Sequence, residues 1–220
     1  MNIQENLNHI KSTLPEHVTL VAVSKTKPVS DLMEAYNTGQ RIFGENKIQE
    51  MAEKYETMPK DIQWHMIGHV QRNKVKYMAS FVSLIHGVEN FKLLQEIDKQ
   101  AKKHDRIVDC LLQIKIASED SKFGMSPDDA SDIFQSENFS ALKNIRITGV
   151  MGMATFTENK EQIEKEFNLL KSTFQDLKIL KPELDTISMG MSGDYKLAID
   201  CGSTMVRVGS SIFGERNYTN

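Results

Sequence analysis

The sequence predicts an α/β protein, a single (β/α)₈ barrel preceded by one extra helix. Three observations carry that expectation. Short runs of β-branched and apolar residues alternate with helical patterns along the whole chain, which implies a parallel sheet with helical crossovers. The runs number eight, the count that closes such a barrel. No Gly-x-Gly-x-x-Gly turn follows the first run, which weakens the competing open doubly wound sheet in its dinucleotide-binding version.

Taken in order, a helix from about Ile3 to Leu14 comes first. Strands are then expected over Val18 to Ser24, Arg41 to Phe43, Ile62 to Ile67, Phe81 to His86, Ile107 to Ile116, Ile145 to Met151, Leu184 to Met189 and Thr204 to Val208. Between them, Leu94, Ile97 and Ala101 share one helical face, and Ile163, Phe167, Leu170, Phe174 and Leu177 recur at the helical period. Ser126, Pro127 and Asp129 read as an N-cap, a first-turn proline and a favourable first-turn charge.

The chain has 220 residues, 40% hydrophobic and 26% charged, enough for one well-packed core, and no composition shift or linker divides it. One domain over residues 1–220 is expected. With a net charge of −3 there is no overall positive field to hold nucleic acid or an anionic membrane, so any basic site must be local. Two cysteines, Cys110 and Cys201, sit in apolar runs; signal-peptide and membrane-span patterns are missing, so a reducing, cytoplasmic setting is expected.

Active sites of such barrels gather where strands end and βα loops begin. The first strand ends in Ser24-Lys25-Thr26-Lys27, and Pro28 opens a helix. Strand alternation puts Lys25 and Lys27 on the side of Val21 and Val23. Both lysines could simply solvate a loop rim; alternatively, a partly desolvated lysine beside a second cation is a usable amine nucleophile. The seventh strand ends in "SMGMSGD" and the eighth in "RVGSSIFG", so Gly190, Gly193 and Gly209 with Ser192, Ser210 and Ser211 could form the phosphate site that recurs after strands seven and eight.

Arg207 lies inside an otherwise apolar strand and needs either a buried partner or a target in the barrel mouth. "FGEN" could bring Glu45 and Asn46 to the same rim. His65 and His69 are four apart on a strand and its loop, which disfavours a zinc pair, and no metal site is expected. "QRNKVKY" reads as a solvated helix face rather than a nucleic-acid patch, and the cysteines as small core residues.

Together, "VAVSKTKP", "FGEN", "WHMIGHVQRNK", "GVMGM", "SMGMSGD" and "GSTMVRVGSSIFG" resemble the pyridoxal phosphate homeostasis family, also called the proline synthase co-transcribed family, from about Val18 to Gly214. The resemblance implies a barrel like that of the N-terminal domain of alanine racemase, holding pyridoxal 5′-phosphate as a Schiff base at its mouth. It implies that Lys25 is the imine lysine and Lys27 the neighbouring cation. Asn46 would lie near the ring hydroxyl and Arg207 would face the pyridine nitrogen. Ser192, Gly209 and Ser210 would cradle the phosphate, with Met191 a further cofactor-binding position. Ser210 stands where relatives often carry threonine; either hydroxyl can bond phosphate. The resemblance extends to "SEDSKFGM" around Lys122 and Gly124, which suggests no chemistry.

The function so implied is that of a carrier or buffer of pyridoxal phosphate that passes it to apo-enzymes and catalyses little. Related racemases and decarboxylases add a β-rich domain, whereas only six residues follow Gly214 here, which also favours a monomer. An acid or base for the opposite face of an amino acid is not evident in the sequence, and Arg207 at the pyridine nitrogen would weaken the cofactor as an electron sink. The alternatives are an amino-acid racemase or decarboxylase with a reduced site, and an aldol-type enzyme that uses Lys25 without a cofactor.

Overall fold

The structure is a computed structural model that describes residues 2–118 and 123–215. Eight parallel strands close in sequence order: β1 (Thr19–Val23), β2 (Ile42–Glu45), β3 (Gln63–Met66), β4 (Leu84–Val88), β5 (Val108–Gln113), β6 (Ile145–Met151), β7 (Thr186–Ser188) and β8 (Met205–Val208). β8 returns to β1 with Val21 opposite Arg207. Helix α1 (Ile3–Thr13) precedes the barrel. The crossovers carry α2 (Val29–Asn37), α3 (Ile48–Thr57), α4 (Phe91–Lys102), α5 (Pro127–Gln135), α6 (Lys160–Leu180) and α7 (Tyr195–Asp200), with the short α8 (Ser210–Phe213) after β8.

The helical stripes expected from sequence are the buried ones. Leu94, Ile97 and Ala101 of α4, and Ile163, Phe167, Leu170, Phe174 and Leu177 of α6, pack against the outside of the barrel. Ser126 caps α5 in a reciprocal capping box with Asp129. Helix α1 buries Ile3, Leu7 and Ile10, and Asn6 Nδ2 donates to the carbonyl of Ile212 at 3.1 Å, so the extra helix braces α8.

The largest differences from expectation fall in two strands, for local reasons. β4 begins at Leu84 rather than Phe81, because Arg72–Tyr77 forms a 3-10 helix and its turn bonding continues through Phe81 and Val82, whose amides donate to the carbonyl of Met78. "QRNKVKY" is therefore mostly 3-10 helix. β5 ends at Gln113, after which Ile114 bridges Met125 beyond the strand.

Inside the barrel, Val21, Leu84, Leu111, Met151 and Met205 make a small apolar cluster separate from the larger core between sheet and helices. The interior also holds His65, His86, Ser188 and Arg207, all buried. Polar groups removed from water need partners, and here they pair with one another. Among the described residues, no helix is long and apolar enough to cross a membrane.

Candidate functional site

A cavity of about 660 Å³ opens at the C-terminal ends of the strands, within the range of about 300–1,000 Å³ usual for small-molecule sites. Lys25, Asn46, Met191, Ser192, Arg207, Gly209 and Ser210 all line it. Seven of the eight residues expected from sequence thus meet in one place. The eighth, Lys27, does not.

The reason lies at Thr26. Val23 and Lys25 face the cavity as strand alternation requires, but Thr26 takes φ 62°, a left-handed backbone that costs a β-branched residue about 1–3 kcal/mol. The turn cancels the alternation that would have placed Lys27 beside Lys25. Lys27 Nζ instead donates to the carbonyls of Phe213 (2.8 Å) and Glu215 (3.0 Å), tying the first strand end to the end of α8. Lys27 is thus absent from the cavity lining, where the neighbouring-cation expectation places it.

A buried ionic cluster holds that turn. Thr26 N donates to Glu50 Oε1 at 2.6 Å, and Lys54 Nζ donates to Glu50, to Glu45 Oε1 and to the carbonyl of Ser24. Ser24 Oγ donates to Glu45 Oε1 at 2.6 Å. Burial pushes the Glu45 carboxyl above its ordinary range, against the pull of Lys54 and Ser24. Both residues flanking Lys25 are thereby pinned from behind the sheet.

Loops after β7 and β8 build the polar end of the cavity. The amides of Gly209 and Ser211 both point at Ser192 Oγ, at 3.2 and 3.5 Å. Met191 N donates to Asp194 Oδ1 at 2.6 Å, closing the turn that presents Ser192. Gly190 sits at φ 97°, where a side chain would be strained and its Cβ would meet Ala198 at 2.6 Å. A Cβ on Gly209 would press on the Val23 carbonyl at 3.1 Å, so glycine lets β8 turn closely over β1.

Arg207 forms part of the floor and is 4% exposed. Its Nη1 donates to Ser188 Oγ at 2.5 Å and Nη2 to the carbonyl of Gly152 at 3.0 Å. Burial lowers its pKa to about 10, partly offset by Asp194, so it remains a cation at neutral pH.

Other lining groups are not among the eight site residues expected from sequence. Gln113 at the end of β5, Gly68 and His69 beyond β3, and Met153 to Thr155 beyond β6 also reach the cavity. The strand-end rule, applied to all eight strands and up to four loop residues further, finds them. His65 and His69 go to different places: His65 into the barrel interior, and His69 to the rim, 3.4 Å from Glu89 and stacked on Phe123. Among the described residues, no three His, Cys, Asp or Glu side chains cluster as metal ligands would. Cys110 and Cys201 are buried, and burial raises the pKa of both thiols. Lys122 lies outside the described residues.

A larger cavity, about 760 Å³, lies between α1 and α7 and shares Ser192, Gly193 and Asp194 with this one. It lies outside the barrel and receives neither Lys25 nor Arg207. The strand-end cavity is therefore the candidate site.

Residues 1–217 match the family described as alanine racemase, N-terminal domain. The chain is 37% identical to the pyridoxal phosphate homeostasis protein of Vibrio alginolyticus, over 99% of each sequence. With the protein of the same name from Escherichia coli it shares 36% identity, over 93% of this chain and 88% of the other. Among solved structures, PipY of Synechococcus elongatus with pyridoxal phosphate bound has a TM-score of 0.88 at 33% identity, covering 96% of this chain and all of PipY. An alanine racemase from Clostridium difficile in complex with cycloserine has a TM-score of 0.80 at 17% identity, covering 99% of this chain and 60% of the racemase, a likeness of fold.

Proposed function

This chain belongs to the pyridoxal phosphate homeostasis proteins, within the alanine racemase N-terminal domain family, and from that premise we propose that its strand-end cavity holds pyridoxal 5′-phosphate. The protein binds this cofactor and serves its homeostasis, carrying and buffering it. One observation carries the assignment to this cavity: a lysine amine, a buried guanidinium and a set of amide and hydroxyl donors line the same space. That donor set fits an aldehyde, a pyridine ring and a phosphate.

When bound, the cofactor supplies an aldehyde that an amine captures reversibly and a ring that absorbs visible light. Lys25 is the amine, and the Glu45–Lys54–Glu50 cluster sets its direction by pinning Ser24 and Thr26. Ser192, Gly209 and Ser210 hold the phosphate; two of their neighbouring amides already converge on a hydroxyl oxygen, as they would on a phosphate oxygen. Asn46 would hold the ring substituent next to the aldehyde, and Met191 would shape the phosphate loop. Arg207, a buried cation lining the same cavity, would hold the ring nitrogen and disfavour its protonation. A ring kept neutral is a weak electron sink, so the protein holds the cofactor and turns over amino acids little. It acts as a monomer and passes the cofactor to apo-enzymes that depend on it.

The test is a visible spectrum of the protein incubated with pyridoxal phosphate, before and after borohydride, followed by peptide mapping. The expected result is a reducible absorbance and a stable adduct on Lys25. An adduct confined to another lysine refutes the role of Lys25, and a protein that stays colourless refutes the cavity assignment and favours an amine enzyme without the cofactor.

A further inference from the structure

Three hydrogen bonds cross the barrel interior in single file. Arg207 Nη1 donates to Ser188 Oγ at 2.5 Å, Ser188 Oγ is 2.9 Å from His86 Nδ1, and His86 Nε2 is 3.0 Å from His65 Nδ1. The four residues come from β8, β7, β4 and β3, and every one is buried. At one end Arg207 lines the candidate cofactor cavity. At the other, His65 lines a different cavity of about 480 Å³ among the N-terminal ends of the strands, with Asp109, Arg146 and Asp185.

The direction of every proton in this chain is set by its first member. Arginine has donors only, so Ser188 Oγ must accept from Arg207. Among the described residues the Ser188 hydroxyl has two partners, Arg207 and His86. Its own proton therefore goes to His86 Nδ1, since in the opposite sense that proton would be buried with no acceptor. His86 is then protonated at Nε2 and donates to His65 Nδ1, and His65 in turn is protonated at Nε2. Both rings are neutral, consistent with burial holding each far below the ordinary histidine pKa.

Such a chain has an electrostatic consequence. Each link turns its lone pair toward Arg207 and its proton away. Asp194 also favours the Arg207 cation electrostatically. A buried cation needs compensation, and the Ser188 hydroxyl oxygen, the Gly152 carbonyl and Asp194 each favour it.

On the reading that this cavity holds pyridoxal phosphate, we propose that Ser188, His86 and His65 are positioning residues: a hydrogen-bonded chain of one fixed polarity that holds the Arg207 guanidinium beneath the cofactor's ring nitrogen. Its far end is open to the cavity at the opposite face of the barrel. The residues that set Arg207 therefore reach from one barrel mouth to the other, well outside the cofactor cavity itself.

The test uses the full chain labelled with ¹⁵N-histidine, with and without ¹⁵N-labelled pyridoxal phosphate. In the unloaded protein, nitrogen shifts should show His65 and His86 as neutral rings protonated at Nε2, and Ser188→Ala should remove the bias at His86. Ser188→Ala should also move the cofactor ring-nitrogen signal and weaken cofactor retention about tenfold, the scale of one lost hydrogen bond to a charged group. Ser188→Thr, which keeps the hydroxyl, should restore both. A ring of His86 protonated at Nδ1 in the wild-type chain overturns the assigned polarity whether or not cofactor is present. A ring-nitrogen signal identical in wild type and Ser188→Ala overturns the positioning role. Failure of the wild-type chain to take up the cofactor at all defeats the cavity assignment and the positioning role together, while a wrong tautomer in a fully loaded protein defeats the chain alone.

Discussion

Lys54 Nζ lies 2.8 Å from Glu45 Oε1, and the two side chains are 7% and 0% exposed. This ion pair stands behind the sheet, yet through the Ser24 carbonyl and Glu50 it fixes both neighbours of Lys25. Removing one partner of a buried pair strands the other, typically at a cost of about 3–5 kcal/mol. Lys54→Met is therefore expected to lower unfolding free energy on that scale in urea titrations. Lys54→Met/Glu45→Leu should recover part of the loss, because it removes the fully buried unpaired carboxylate and leaves only the part-exposed Glu50 without its lysine. Equal stability of wild type and Lys54→Met would show that the cluster is not what holds the turn.

Lys27 should separate from Lys25 in every assay of the amine. Its Nζ is occupied by the carbonyls of Phe213 and Glu215, so Lys27→Met should leave the borohydride adduct on Lys25 intact. The expected cost is structural, about 1 kcal/mol from two lost bonds in a partly exposed setting. Peptide mapping of the reduced protein checks the first point and denaturant unfolding the second. Loss of the Lys25 adduct without loss of stability would restore Lys27 to the cofactor.

The phosphate loops should dominate affinity. A charge-assisted hydrogen bond typically contributes about 1.5–3 kcal/mol, so pyridoxal lacking its phosphate should bind weaker by at least two tenfold steps. Ser210→Asp should weaken cofactor retention by like-charge repulsion, while Ser210→Thr should preserve it. Equilibrium dialysis of the two vitamers against each protein reads this out. Similar affinities for pyridoxal and its phosphate would place the anion elsewhere.

Much of this architecture is legible in the chain because it depends on short-range patterns. The α6 stripe and the N-cap at Ser126 each arise from spacing within one element, and the strand count from the alternation of such elements. The direction of Lys25 is legible because alternation persists through β1 into its first loop residues. That of Lys27 is not, because the left-handed turn at Thr26 depends on Glu50, which is 24 residues away. The same limit hides the interior chain. An arginine in an apolar strand announces that it needs a partner, but its partner Ser188 and the two histidines beyond are joined only when the barrel closes.

Those histidines also predict how the fold responds to acid. Burial lowers the His65 pKa to about 3 and that of His86 well below 6.5, with His65 and the Arg207 cation lowering His86 further. In the unfolded chain both titrate near 6.5. Between about pH 6.5 and pH 3 the unfolded chain therefore binds more protons than the folded one, and stability increases with pH. The contribution is fully present above the unfolded value and is lost as pH falls toward the folded ones. One proton corresponds to about 1.4 kcal/mol per pH unit, and the pair to about 2.7. Carboxylates titrate in the same range, so the informative quantity is a difference between proteins. His65→Gln removes one of the two protons, and its urea-derived stability should fall less steeply from pH 5.5 to pH 4.5 than that of wild type, by about 1.4 kcal/mol per unit. Parallel slopes would mean that His65 takes up its proton inside the folded barrel, which the neutral chain beneath Arg207 does not allow.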